Sequence, residues 1–344
     1  MCDDAQGCAS RLLLCKELMA SIDSTDVRAA AKLIAAQIER TPLFAVPPAL
    51  VARADVRLFL KLECRQRSGS FKARGARHFV ARLLAAGSPP AGVITYSSGN
   101  HGTAVAEAGR DAGLGVLVTV PENVDAVKES AMRAAGAEVV RAGGTSESRR
   151  ERALAIAAER GWAVIPPFDH DWIIAGQGTV ALEILDEVPN VVGVWTPVGG
   201  GGLAAGVTTV VKDLLPACEV FAVEPAGAAC FGVALRSGRR VPLGAAESMA
   251  DGLLPLEVGA RNWEILSTRG VRSVLVSEGE IRESLRRLRG IGVATEPSGA
   301  VAAAPLIAAG GAVAALATRI PPGVHVAIVS GGNVAPARLA SLLA

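Results

Sequence analysis

Aromatic residues are scarce in this chain: seven Phe, four Trp and one Tyr among 344 residues. A core with so few rings must be filled by small aliphatics, which suits parallel strands covered by helices on both faces. Charge of one sign is not in excess either, the formal net charge being +2. With no basic stripe and no interleaving of basic and aromatic residues, a nucleic-acid partner is not expected. The six cysteines, Cys2, Cys8, Cys15, Cys64, Cys218 and Cys230, form no CxxC pair and no zinc-ligand spacing. Free thiols in a reducing cytoplasm are the expectation. The start, MCDDAQGCASRLLLCKELMA, is acidic where an export signal carries basic charge, so residues 1–24 are read as a terminal extension. One segment, 300–318, carries no charge and has the length to cross a bilayer. Its bulky residues are few, and Pro305 and the Gly310-Gly311 pair interrupt it. Two short buried helices joined at the glycines are expected, and no membrane partner.

Half of the residues are apolar and a fifth are charged, as in a globular protein with room for about two lobes. Short apolar runs such as VRLFLKLE, GVITYS, GVLVTV, AEVVRA, WAVIPP, VVGVWTPV, EVFAVE, SVLVS and HVAIVS alternate with helical stretches. The helices are expected over 70–86, 101–112, 125–135, 146–160, 171–187, 202–215, 227–237 and 278–290, with a last one from 334. Strands alternating with helices predict an α/β fold with parallel sheet. Such sheets bind ligands at the carboxyl ends of their strands, which directs attention to the strand-to-helix turns.

Four places there carry residues suited to chemistry. TPVGGGGLAAG, 196–206, puts four consecutive glycines between an apolar strand and a helix. Glycine lets a ligand approach the backbone, and a helix N-terminus offers free N–H groups and partial positive charge, so this is a candidate phosphate cup. It is neither a P-loop nor a dinucleotide fingerprint. YSSGNHG, 96–102, can present N–H groups and the side chains of Ser97, Ser98, Asn100 and His101 to a carboxylate, or it can simply cap its helix. VSGGN, 329–333, sets Ser330 at the end of another strand. In SGSFKARGA, 68–76, Lys72 opens a helix, against the macrodipole. That placement favours a lowered pKa and a neutral, nucleophilic amine; a snorkelling surface lysine is the alternative.

Together the four turns carry a resemblance that covers about residues 40–344. RTPL, KLECRQRSGSFKARGA, SSGNHG, IAGQGT, PVGGGGL, AVEP, ADG, EPSGA and SGGN occur in this order. The chain resembles the serine/threonine dehydratase and serine racemase family of fold-type II pyridoxal-phosphate enzymes. The resemblance implies two open twisted sheet lobes with helices on both faces, similar to the tryptophan synthase β fold. The large lobe would take 25–89 and 166–344, and the small lobe 90–165. It implies pyridoxal 5'-phosphate as cofactor and a homodimer. Lys72 would attach to the cofactor aldehyde and act as general base. Phe71 would pack beside the cofactor, and Asn100 would bond the ring hydroxyl. Gly199, Gly200, Gly201, Gly202 and Leu203 would hold the phosphate. Ser330 would face the pyridine nitrogen. Ser97, Ser98, Asn100 and His101 would receive the substrate carboxylate.

The activity so implied is loss of water and ammonia from L-threonine, L-serine or a related β-hydroxy amino acid, giving a 2-oxo acid. An amino-acid racemase with side elimination is the second reading, because Ser98 stands where racemases carry the acid for the opposite face. A non-catalytic binder of a phosphate ligand is the third. Phe168-Asp169 resembles the dehydratase form of its loop, and Arg149 aligns with a substrate-side arginine of racemases. Where family members bind a cation, Glu224 and Ala228 match two ligand positions, but Cys230 replaces an aspartate. A weak monovalent or divalent cation there is the most that the loss of a carboxylate implies.

Overall fold

A computed structural model describes residues 22–308 and 319–343. Cys2, Cys8, Cys15 and the Gly310-Gly311 pair lie outside the described residues.

Among the described residues ten strands form two sheets. In chain order they are β1 (Leu43–Ala45), β2 (Val56–Lys61), β3 (Gly92–Tyr96), β4 (Gly115–Val120), β5 (Glu138–Arg141), β6 (Ala163–Val164), β7 (Val191–Pro197), β8 (Glu219–Pro225), β9 (Arg272–Val276) and β10 (Gly323–Ile328). The larger sheet has the order β1-β2-β10-β7-β8-β9 and the smaller the order β5-β4-β3-β6. All pairings are parallel except that of β1 with β2. The antiparallel edge was not expected from the sequence. WAVIPP contributes only the two residues of β6, because that strand meets the sheet along a short stretch of β3.

The helices are α1 (Ser24–Ile34), α2 (Lys72–Ala85), α3 (Asn100–Asp111), α4 (Ala126–Ala134), α5 (Ser146–Arg160), α6 (Asp171–Glu187), α7 (Gly202–Leu214), α8 (Cys230–Ser237), α9 (Ala260–Thr268), α10 (Glu278–Gly290), α11 (Pro297–Ala300), α12 (Ala304–Ile307) and α13 (Pro336–Leu343). Helices α1 and α9 were not expected. Helix α8 starts at 230, after a 3-10 turn at Ala226–Ala228, rather than at 227. In the uncharged segment the helix breaks at 301–303, so its first interruption precedes the glycines. No described helix is long and apolar enough to cross a membrane.

Alternate strand residues point to opposite faces. Val194, Val220, Ala222 and Val326 pack into a core with α1, α6 and α7, while Trp195, Phe221, Val223 and Ala327 pack with α10, α11 and α12. The smaller sheet is likewise covered on both sides: Val93, Val116 and Val118 pack on α3 and α4, Ile94 and Leu117 on α5. Trp195 and Phe221 are stacked with ring centroids 3.9 Å apart, so two of the few rings fill one layer.

Helices α2, α6 and α7 approach through glycines. A Cβ at Gly176 would lie 2.7 Å from Gly75 Cα, and one at Gly206 would lie 2.8 Å from Gly178 Cα. Two residues beyond Lys72, Arg74 is fully buried and donates to Glu63 (2.7 and 2.8 Å), Glu183 (2.6 and 3.0 Å) and Thr179 (3.1 Å). Buried Lys61 reaches Glu183 at 2.7 Å. Burial opposes the charge of Arg74, but the carboxylates of Glu63 and Glu183 outweigh it and raise its pKa. Removing one partner of a buried pair strands the others. Arg74→Ala is therefore expected to cost about 3–5 kcal/mol in urea unfolding. A loss under about 1 kcal/mol would show that the network does not hold α2.

Candidate active site

The glycine cup, the lysine and the SGGN turn lie at the carboxyl ends of parallel strands, as such sheets require of a ligand site. Strand β7 runs into residues 198–201 and then α7. All of Gly199, Gly200, Gly201, Gly202 and Leu203 are buried. Gly201 has φ +96°, a left-handed conformation that favours glycine. Helix α7 has no side-chain cap. A buried helix start without a cap needs N–H acceptors from elsewhere, and a phosphate group supplies them. A Cβ on Gly202 would meet the Phe168 carbonyl at 2.8 Å, and one on Gly200 would strike the Phe168 ring.

The lysine loop is stitched to the end of β10. Phe71 N donates to Ser330 O at 3.0 Å, and Gly332 N donates to Gly69 O at 2.9 Å. Lys72 is half-buried at the first position of α2, with its Nζ 5.0 Å from the Phe71 ring centroid. The Nζ donates to Pro167 O at 2.6 Å. Burial lowers its pKa to about 8. Pro167 adjoins Phe168, which lies on the cup, so one short segment joins the lysine to the cup. Buried Ser70 Oγ and His101 Nδ1 have no hydrogen-bond partner, which leaves polar capacity beside the lysine for a ligand.

Asn100 opens α3 after β3. Its Nδ2 donates to Glu296 at 2.6 Å, and its Oδ1 accepts from Asn333 Nδ2 at 2.9 Å. One amide N–H is thus left for a ligand. Glu296 is buried, and burial followed by the charge of Asp251 raises its pKa to about 7. Ser330 is buried and its Oγ donates to Ser298 O at 3.4 Å. Ser97 is held to the small sheet through Thr119 O at 3.0 Å, and Ser98 is exposed. A cavity of about 300 Å³ runs beside this turn, lined by Gly99, Asn100, Thr103, Lys128, Glu296 and Asn333 among others.

The side chains of His101 and Glu224 both have partners within the fold. His101 is buried with Nε2 3.3 Å from Ile165 O, and burial, then the charge of Lys72, push its pKa down to about 3. A neutral imidazole turned to a backbone carbonyl offers no positive charge to a substrate carboxylate. At the expected cation site, both Glu224 oxygens accept backbone N–H groups, from Phe231 and Gly232, each at 2.8 Å. Ala228 lies in the preceding 3-10 turn, and Cys230 turns its thiol to Gly199 O at 3.2 Å. Burial raises the Glu224 carboxyl to about 7 and the Cys230 thiol to about 12. A hard cation takes about six to eight oxygens, and with Cys230 in place of an aspartate the expected residues offer one carboxylate and one backbone carbonyl. Among the described residues no three His, Cys, Asp or Glu side chains gather as a metal site.

The residues at the cup and lysine do fit a phosphate-bearing aldehyde. The Pyridoxal-phosphate dependent enzyme family model matches residues 34–331. The chain belongs to that family. It is 33% identical to L-threo-3-hydroxyaspartate ammonia-lyase of Saccharomyces cerevisiae, over 92% of this chain and 95% of that protein. It is 35% identical to the biosynthetic L-threonine dehydratase of Pasteurella multocida, over 75% of this chain and 50% of that one. The chain thus spans about half the length of the biosynthetic threonine dehydratases it matches. The structure of maize serine racemase superposes with a TM-score of 0.86 at 31% identity, covering 94% of this chain and 97% of the other. The cofactor is pyridoxal phosphate, and the fold is that of fold-type II enzymes.

Sequence reasoning passed over Pro167, Glu296, Asn333 and Asn262. Glu296 and Asn333 sit inside quoted motifs, but their pairing with Asn100 is tertiary. Asn262 lies outside every motif.

Two expected outcomes follow from this geometry. A lysine amine attacks an aldehyde only when neutral, so attachment of pyridoxal phosphate to the cofactor-free chain should speed up as pH rises through about 8. A midpoint above about 10, as for an ordinary lysine, would contradict the buried setting. Added Mg²⁺, Ca²⁺ or K⁺ should leave the wild-type Tm unchanged, while Cys230→Asp should make it cation-responsive. A saturable rise in the wild type would show that Glu224 does bind a cation.

Proposed function

We propose that this chain is an ammonia-lyase that removes water and ammonia from a β-hydroxy amino acid and releases a 2-oxo acid. L-threonine and L-serine are the first candidates. The observation that carries the reading is Lys72: an amine lowered to about 8 on a loop paired backbone to backbone with Ser330.

Bound between these groups, pyridoxal phosphate supplies an aldehyde for amines and a sink for charge at the substrate Cα. The cup and the start of α7 bind the phosphate. The N–H groups and hydroxyls at 97–100 orient the substrate carboxylate. Lys72 Nζ takes the proton from Cα and holds it. Ser330 offers a neutral hydroxyl to the ring, so it places no full positive charge there. More charge then stays at Cα, which favours departure of a β-hydroxyl. The β-carbon loses hydroxide with its bonding pair, and the hydroxide takes a proton and leaves as water. The released enamine gains a proton at the β-carbon to become an imine, and water hydrolyses that imine to one 2-oxo acid and one ammonium.

Arg149 supports a narrower choice among β-hydroxy substrates. It is half-buried, its Nε is buried without a partner, and burial lowers its pKa. Thr119 O accepts from Ser97 N at 3.0 Å and Thr119 Oγ1 donates to Arg149 O at 2.9 Å, so the backbone of this arginine is tied to the strand end that carries the substrate turn, while its guanidinium donates to Ser146 Oγ at 2.8 Å. A guanidinium with no carboxylate partner among the described residues suits a substrate bearing a second carboxylate. A 3-hydroxyaspartate, as named for the yeast relative, has that chemistry. Exposed Ser98 keeps proton return to the other face of Cα as the second reading. The working unit we propose is a cytoplasmic homodimer, in keeping with the family resemblance and with the free thiols Cys64, Cys218 and Cys230.

A panel of L-threonine, L-serine and L-threo-3-hydroxyaspartate, assayed for 2-oxo acid, tests the reading. Turnover should fall about 10²–10⁴-fold or more in Lys72→Ala. Arg149→Ala should lower kcat/KM for hydroxyaspartate about tenfold or more and spare threonine. Full turnover by Lys72→Ala, or recovery of racemised substrate with no 2-oxo acid, would overturn the lyase reading.

A further inference from the structure

The cup needs its carbonyl groups turned away from the phosphate, and one buried side chain outside the quoted motifs does this. Gly200 O accepts from Asn262 Nδ2 at 2.7 Å and from Gly259 N at 3.0 Å. The same Asn262 Nδ2 lies 3.3 Å from Phe168 O. Phe168 in turn lies on the cup, next to Pro167, the acceptor for Lys72. Asn262 therefore ties Gly200 of the cup to Phe168, whose ring and carbonyl pack on the cup.

The setting of Asn262 is built around that one amide. It is fully buried in the first turn of α9. Asp169 fixes that turn by accepting from Ala260 N and Arg261 N, both at 2.9 Å. A Cβ at Gly201 would lie 3.0 Å from Asn262 Cβ, so the helix start packs directly on the cup. The Asn262 Oδ1 is buried with no donor. A buried amide oxygen without a partner costs stability, and an apolar side chain of similar size would avoid that cost. The donor half of the amide is what the site uses.

We infer that Asn262 is a positioning residue for the cofactor phosphate: by holding Gly200 O and Phe168 O it sets the cup so that the N–H groups at the start of α7 face the phosphate. Its effect is confined to the phosphate end of the cofactor. Asn262 has no bond to Lys72, Asn100 or Ser330 among the described contacts.

The test compares two ligands on the full chain freed of cofactor: pyridoxal phosphate, and pyridoxal without the phosphate, each titrated by the visible absorbance of the lysine adduct. Asn262→Leu removes the donor at nearly constant size. It is expected to raise the Kd for pyridoxal phosphate about tenfold or more and leave that for pyridoxal within about twofold. Asn262→Thr keeps one hydroxyl donor and is expected to restore most of the loss. Should the leucine variant not fold, Asn262→Ala, which also removes the donor and adds no charge, takes its place. Unchanged affinity for pyridoxal phosphate would overturn the inference. So would an equal loss for both ligands, which would mark a merely structural residue.

Discussion

Three helices meet backbone against backbone at Gly75, Gly176, Gly178 and Gly206, and the geometry of the site depends on that closeness. Lys72 lies one turn before Gly75, and the cup ends one turn before Gly206. Side chains at these contacts would push α2, α6 and α7 apart and carry the lysine away from the phosphate cup. Buried helices usually keep axes 8–10 Å apart, and glycine permits the near limit. The ion network of Arg74, Glu63, Glu183 and Lys61 ties α2 and α6 to each other and to the end of β2.

Burial then sets the electrostatics of the cleft. It lowers the Lys72 amine toward neutrality, neutralises His101 and raises Glu296. Each shift has the sign that desolvation gives to its own charge type. Arg74 shows the contrary case, where paired carboxylates outweigh burial and keep the charge. The difference between the two fates lies in partners: Arg74 has two carboxylates, whereas Lys72 has a carbonyl. A reactive lysine and a structural arginine thus stand two residues apart on one helix.

Much of this was legible in the sequence where function uses local backbone properties. Four glycines before a helix, a lysine at a helix start and SGGN after an apolar strand each declare a turn with spare N–H groups or a misplaced charge. The α/β pattern and most helix positions followed from periodicity. What was not legible is tertiary. Asn262 reaches the cup from about 60 residues away on a short helix that had no expected signal. The pairing of Glu296 and Asn333 with Asn100 joins distant turns. The late start of α8 reflects Glu224 accepting its first N–H groups, a side chain from the preceding strand acting as a cap. His101 sits in a motif that resembles a carboxylate cradle, yet the fold turns its ring inward.

The central claim is that Lys72, the cup and Ser330 form one pyridoxal-phosphate site in which Lys72 is the attached amine. The most direct measurement is reductive trapping of the cofactor on the purified chain, followed by mass mapping of the modified peptide. The account predicts a single modified residue, Lys72. Modification of Lys61 or Lys128 in its place, or no trapped lysine at all, would contradict it.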